Sequence, residues 1–341
     1  MVKNGGLFCS APPPIFAAHM TPNLLIIDVN ALGYAAMHQP ALARLSHNGE
    51  PTAALHGALM SIFSRLVEYP SATPIAVWDG HARWRKELFP GYKSNRSDKP
   101  EKIKIREAYI KQAAVIEELL RLLGIPQVRS ESAEADDVAG VICRNIDPAW
   151  VIQLVTRDTD WWQALDERTS WYSPLTKTSL TFDAFIDPDR GSSDGHFLST
   201  QEYLNCKALA GDSSDTIPGL DKIGLKTAAK ILREYGSLDA LLARAKAGEV
   251  FSGAALLKLL APGVKEMYER NLRLMDWKQA PPLDSSSVNA QFTQPDLEAF
   301  QRLADQYGLS RVATAANKLD LPAQRALWLP AWTDTLRSLG L

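Results

Sequence analysis

Cysteine is scarce in this chain: Cys9, Cys143 and Cys206 are the three among 341 residues, isolated and odd in number. That excludes a disulfide framework and a cysteine zinc site, and it points to a reducing, cytoplasmic compartment. Long apolar runs are missing as well. Nothing approaches the ~20 residues that a membrane span needs, so no membrane association is expected. Net charge is nearly absent: 37 basic and 39 acidic residues leave −2, so bulk composition does not announce a nucleic-acid binder. The opening MVKNGGLFCSAPPPIFAAHM is rich in proline and glycine and lacks a signal-peptide core. Residues 1–20 therefore read as a flexible tail, with Met20 as an alternative start.

The chain does have an ordinary globular composition, 46% hydrophobic and 22% charged, in which charge is localised. Between His81 and Lys111 stand ten basic residues against four acidic ones. The first part of that run, HARWRKELFPGYKSNR, interleaves cations with aromatics. Aromatic faces stack on unpaired bases while cations hold phosphates, a pairing suited to single strands. Lys102 to Leu123 follows as one long amphipathic helical pattern.

Strand-length apolar runs alternate with helical patterns. Asn23–Asp28, Pro74–Trp78, Ile125–Arg129 and Val151–Val155 read as strands, and Trp171–Phe182 as a hairpin at the sheet's edge. That alternation predicts an α/β fold around a parallel sheet with both faces covered. Acids cluster where those runs end. Asp28 closes LLIID, Asp79 closes PIAVWD, Glu134, Asp136 and Asp137 open a helix, Asp158 and Asp160 follow VIQLV, and Asp212 and Asp215 sit in GDSSD. Taken singly, each also suits a helix cap or a turn. Together they predict convergence beyond the carboxyl ends of the strands.

A converged cluster needs cations. Two like charges about 4 Å apart at an effective dielectric near 20 repel by roughly 4 kcal/mol. Oxygen ligands without histidine or cysteine select Mg²⁺, with Mn²⁺ as a substitute, over zinc. Two such ions would activate water and stabilise a leaving oxygen in phosphodiester hydrolysis. Further on, TIPGLDKIGLKTAAKILREYG reads as a helix–hairpin–helix. There Gly219 and Gly224 allow a tight turn, and amides at the helix start, with Lys226 and Thr227, hold phosphate without reading sequence. Amphipathic helices are expected at Leu238–Ala247, Val264–Trp277 and Leu297–Leu309, with a polar, proline-containing separator near Ala280–Pro295.

IDVNALGYAA, NGEPTAALHGAL, WDGHARWRKELFPGYKSNR, AEADDVAG, TRDTDWWQAL and KALAGDSSDTIPGLDKIGLKTAAKIL occur in that order. On these words the chain resembles the flap endonuclease and 5′–3′ exonuclease family, bacteriophage members and the amino-terminal nuclease domain of bacterial DNA polymerase I in particular. The resemblance implies a PIN-like core over 21–198 with a helical arch at about 81–115. A helix–hairpin–helix (H3TH) subdomain over 199–315 and a tail of unassigned role over 316–341 would follow. It implies that Asp28, Asp79, Glu134 and Asp136 serve one metal, with Asp136 bridging. Asp158, Asp160 and Asp215 would serve the second, with Asp137 and Asp212 acting partly through water.

By the same resemblance Lys93 and Arg96 approach the scissile phosphate, Tyr92 stacks on a base, and Arg85 holds the strand. Lys207 matches a basic DNA-binding position, and the hairpin commonly holds K⁺ on backbone carbonyls. Expected partners are DNA with free 5′ ends or 5′ flaps, RNA in hybrids, and a replicative polymerase, with the chain itself a monomer. The stand-alone length and the WRKEL…YKSNR wording lean towards a phage. Ala35, Thr159 and Leu225 depart from residues frequent in the family, an arginine, a lysine and a proline. A PIN-type ribonuclease and a catalytically silent junction-binding protein are the alternatives.

Overall fold

Runs such as LLII and PIAVW are apolar at every position, and the structure buries both of their faces. A computed structural model describes residues 20–96, 100–188 and 197–341, with the side chains of Arg96 and Lys102 left out. The tail expected at the amino terminus lies outside the described residues but for Met20.

Five parallel strands form the centre of a seven-stranded sheet: β1 (Leu24–Asp28), β4 (Thr73–Trp78), β5 (Gln127–Ser130), β6 (Ile152–Val155) and β7 (Thr169–Ser173). The order is β11-β5-β4-β1-β6-β7-β8, with β8 (Thr178–Leu180) and β11 (Val288–Gln291) antiparallel at the edges. Small ribbons β2/β3 (Ser46–His47, Glu50–Pro51) and β9/β10 (Gly211–Asp212, Ile217–Pro218) stand apart.

Side chains alternate across the sheet with a period of two. Leu24, Ile26, Ile75, Val77, Val128 and Leu154 enter one core with α5 (Ala135–Asn145), α7 (Thr200–Ala210) and α8 (Leu225–Tyr235). Leu25, Ile27, Ala76, Trp78 and Val155 enter the other, with α1 (Val29–His38), α2 (Ala53–Glu68) and α4 (Pro100–Leu122). Both faces therefore need apolar residues, and the continuous runs follow.

α3 (Arg83–Leu88) and α4 form the basic region expected as an arch. The base of α4 is packed: Ile116, Leu119 and Leu120 are fully buried, whereas Ile103 and Ile110 nearer its start are 42% and 56% exposed. Gln112 fixes the transition between the two. Its Oε1 accepts from Ala54 N at 2.9 Å and Leu55 N at 3.3 Å, capping α2, whose own Thr52 supplies no side-chain cap.

After the short α6 (Phe182–Ile186), α7 and α8 are followed by α9 (Leu238–Lys246), α10 (Ala254–Leu259) and α11 (Val264–Met275). The chain then returns to the main sheet, which differs from the expected separator at Ala280–Pro295. Val288–Gln291 adds to the edge beside β5. Its alternation was masked because an edge strand buries little on either face. α12 (Leu297–Gln306) lies on α4, α13 (Ser310–Ala316) on α2, and α14 (Leu321–Ser338) on β4 and α5. The last segment is thus a packed helix: Trp328 is fully buried, Arg325 donates to the Gly124 carbonyl at 2.8 Å, and Trp150 donates to Asp334 at 2.9 Å.

Candidate nuclease site

The strand ends place the acids. Asp28, 5% exposed, closes β1 and caps α1 by accepting from Ala31 N at 2.9 Å, and its second oxygen accepts from the Thr156 hydroxyl at 2.9 Å. Asp79 follows β4 and accepts from Ala135 N at 3.0 Å, which ties it to the first turn of α5. Only glycine fits next to it, since a Cβ on Gly80 would stand 1.7 Å from the Ser130 carbonyl oxygen. On α5, Asp136 accepts the Trp161 indole N–H at 2.8 Å. Beyond β6, Asp158 accepts from Asp160 N at 2.9 Å.

One hollow of about 800 Å³ is lined by Asp28, Asp79, Glu134, Asp136, Asp158, Asp160 and Asp215. Seven of the nine expected acids therefore converge, from segments as far apart as 28 and 215. Asp212 stands behind them, with one oxygen on Ser214 N, Ser214 Oγ and Asp215 N and the other 3.0 Å from Lys207. Asp137 does not join the hollow. It is 4% exposed and accepts both guanidinium nitrogens of Arg85, at 2.7 and 2.6 Å, and the amide of Glu134 at 3.1 Å.

Several basic and aromatic residues stand elsewhere than the resemblance implies. Arg85, expected to hold DNA, is 3% exposed, paired with Asp137 and donating to the Leu274 carbonyl at 3.0 Å. It locks α3 to α5 and α11 and is out of a strand's reach. Tyr92, expected to stack on a base, is 4% exposed, and its hydroxyl donates towards Glu134 at 2.9 Å and Asp215 at 3.2 Å. Lys207, expected on DNA, is buried and ion-paired to Asp160 and Asp212. Lys93 does reach the hollow, 2.7 Å from Glu134 and 3.8 Å from Asp215. Its backbone sits at φ 53° and is held there by the hydrogen bond that its amide N–H donates to the Asp215 carbonyl at 2.8 Å. The side chain of Arg96 lies outside the described residues.

Charge compensation is uneven. Burial would raise Glu134, but Lys93 and Arg85 outweigh it and hold the carboxyl below its usual range. Asp212, despite burial, is brought to about 2 by Lys207 and Ser214. The acids that form no ion pair among the described residues go the other way. Burial, then Asp79, pushes Asp28 up to about 7. Dehydration in the hollow, then Asp160, push Asp158 the same way, but that residue is exposed and solvent screens much of the effect. Burial, then Asp158 and Asp28, raises Asp136 well above its usual value.

Among the described residues no three or more His, Cys, Asp or Glu side chains form a ready-made metal cage. Lys93 and Lys207 hold two of the acid pairs instead. The donor set nevertheless fits a hard divalent cation: it is all oxygen, and its least compensated members adjoin one another in the hollow.

The helix–hairpin–helix residues stand at the start of α8 and in the turn before it. Gly219 is required by packing, because a Cβ there would lie 2.1 Å from the Ala210 carbonyl. Gly224 caps α8 with open space around it, Lys226 is exposed and Thr227 half-buried. Asn271 of α11 donates to the Ala208 and Pro218 carbonyls, each at 2.8 Å, and so pins the hairpin. Three contributors escaped the sequence reading: Trp161 and Thr156, which donate to Asp136 and Asp28, and Asn271. Only the position of Trp161 and Thr156 beside the acidic turn hinted at a role.

A parallel sheet whose strand ends gather carboxylates below a basic helical pair, followed by a helix–hairpin–helix, defines a phosphodiester-cleaving nuclease class. Two family models agree: 5′–3′ exonuclease, N-terminal resolvase-like domain, matches residues 23–188, and 5′–3′ exonuclease, C-terminal SAM fold, matches residues 198–298. The chain belongs to the 5′–3′ exonuclease family.

It is 34% identical over 222 residues to the thermostable DNA polymerase I of Thermus aquaticus, a match covering 64% of this chain and 25% of that protein. The chain thus spans about a quarter of the length of the curated relatives it matches. The T5 5′-exonuclease, solved with divalent metal ions (zinc) bound, shares the fold at a TM-score of 0.61 and 22% identity, covering 87% of this chain and 99% of the T5 chain. Flap endonuclease-1 from Methanococcus jannaschii does so at a TM-score of 0.55 and 20% identity, covering 89% and 94%.

Proposed function

We propose that this chain cleaves DNA phosphodiester bonds at free 5′ ends and 5′ flaps with two Mg²⁺ ions, Mn²⁺ substituting. One observation carries the reading: seven carboxylates from distant segments line one hollow beside α4. Asp28, Asp79, Glu134 and Asp136 would hold one ion, and Asp158, Asp160 and Asp215 the other. When bound, such ions lower the pKa of water and stabilise the leaving oxygen.

The chain's own groups do the rest. Lys93, already poised between Glu134 and Asp215, exchanges a carboxylate for a phosphate oxygen when substrate enters, which adds charge stabilisation where it develops. Tyr92 orients Glu134 through its hydroxyl. Trp161 and Thr156 hold Asp136 and Asp28 in fixed rotamers by donating to them. Amides at the start of α8, with Lys226 and Thr227, grip the duplex backbone behind the junction, and carbonyls of the same hairpin offer a K⁺ site. The protein acts as a monomer beside a replicative polymerase and also takes RNA in hybrids.

A labelled 5′-flap DNA, incubated with Mg²⁺ and separately with EDTA, tests the reading beside a matched RNA flap. Mg²⁺-dependent cutting of the DNA supports it. Cutting of the RNA alone favours a PIN-type ribonuclease, and no cutting of either removes the proposal.

A further inference from the structure

An acidic floor repels a polyanion, so cations at its rim decide how a strand is seated. Among the described residues, three strongly basic side chains line the hollow: Lys93, Arg106 and Arg157. Lys93 is committed to Glu134. Behind it, Lys207 and Arg85 are likewise committed to acids. Arg106 and Arg157 are different. Both are exposed, and neither has an ion pair among the described residues.

The contrast is informative because carboxylates are abundant within the same cavity. An arginine whose role was to neutralise them would be folded onto one, as the interior cations are. Arg106 projects from the early turns of α4, and Arg157 from the turn that carries Asp158. They therefore rise from two different walls. A guanidinium presents a planar fork of donors that matches phosphate oxygens two at a time.

We propose that Arg106 and Arg157 form a phosphate clamp that grips backbone phosphates of the cleaved strand from two walls and seats it over the acidic floor. The clamp rests on the nuclease reading above, and its ligand is the phosphodiester backbone, so it carries no base preference.

The test measures binding of a fluorescein-labelled 5′-flap DNA by anisotropy in EDTA over a range of KCl concentrations. It uses the full chain as wild type, Arg106→Ala, Arg157→Ala, Arg157→Lys and, as a control outside the hollow, Arg302→Ala. Each of the first two alanine variants should weaken binding about three- to tenfold and lower the slope of log K against log salt by about 0.7–0.9. Arg157→Lys should restore the slope but only part of the affinity, since lysine keeps the charge and loses the fork. Arg302→Ala should match wild type. Wild-type affinity and slope in both Arg106→Ala and Arg157→Ala would overturn the clamp, as would an equal loss in Arg302→Ala. Wild-type protein that binds with these slopes yet cuts no flap in Mg²⁺ removes the nuclease reading and leaves the clamp standing.

Discussion

The two sides of the acidic hollow differ in how they bear their charge. On one side Glu134 and Asp215 share Lys93, with Asp160 and Asp212 sharing Lys207 behind them. On the other, Asp28, Asp136 and Asp158 form no ion pair among the described residues and are held by a hydroxyl, an indole and backbone amides. The first side is electrostatically complete as the chain folds. The second is not, and burial with mutual repulsion pushes the Asp28 and Asp136 carboxyls above their ordinary range. An oxygen-lined pocket that keeps protons near neutral pH is one that exchanges them for a divalent ion.

Breaking the uncompensated side should have the largest effect on chemistry and an opposite one on stability. Asp136→Asn is expected to lower flap cleavage by about 10³-fold or more while raising the melting temperature of metal-free protein at neutral pH by about 2–4 °C. Single-turnover rates and calorimetry in EDTA read the two halves. Loss of both activity and stability would make Asp136 a structural acid.

Breaking the compensated side should do the reverse. Lys207→Met leaves Asp160 and Asp212 facing each other and should cost about 3 kcal/mol in EDTA, with Mn²⁺ restoring part of it. Urea unfolding with and without Mn²⁺ measures this. Lys93→Ala, in the same half, should lose turnover far more than DNA affinity, which single-turnover kinetics set beside gel-shift titration will separate.

The pH dependence sharpens the contrast. Asp28 lies near 7 in the folded protein against an ordinary 3.8. The folded state then binds more protons than the unfolded chain between those values, so metal-free stability falls as pH rises through that window. The gain in melting temperature on adding Mg²⁺ should grow over the same range, and a gain that is flat with pH would count against it. The smallest expected effect is Trp161→Phe, which removes one hydrogen bond to Asp136 and should slow cleavage about tenfold.

Much of this was legible in the sequence. The strands that deliver acids, β1, β4 and β6, are apolar runs with an aspartate at their end or within three residues of it, and a covered parallel strand has little freedom to look otherwise. What stayed hidden depends on pairing across the fold. Arg85 and Asp137 are 52 residues apart, and nothing local says that a guanidinium in a basic run will turn inward to a buried acid. Lys207 reads as a DNA contact until α7 is seen to aim it at Asp160. Val288–Gln291 is too polar to announce a strand, and only its place beside β5 makes it one.

The central claim is that the uncompensated acids exchange protons for a divalent ion. Calorimetric titration of Mn²⁺ near pH 6.5, in two buffers of different ionisation enthalpy, tests it most directly. The account predicts tight binding with about one proton or more released for the first ion, and loss of that release in Asp28→Asn and Asp136→Asn. Binding heats that are the same in both buffers, or no binding at all, would contradict it.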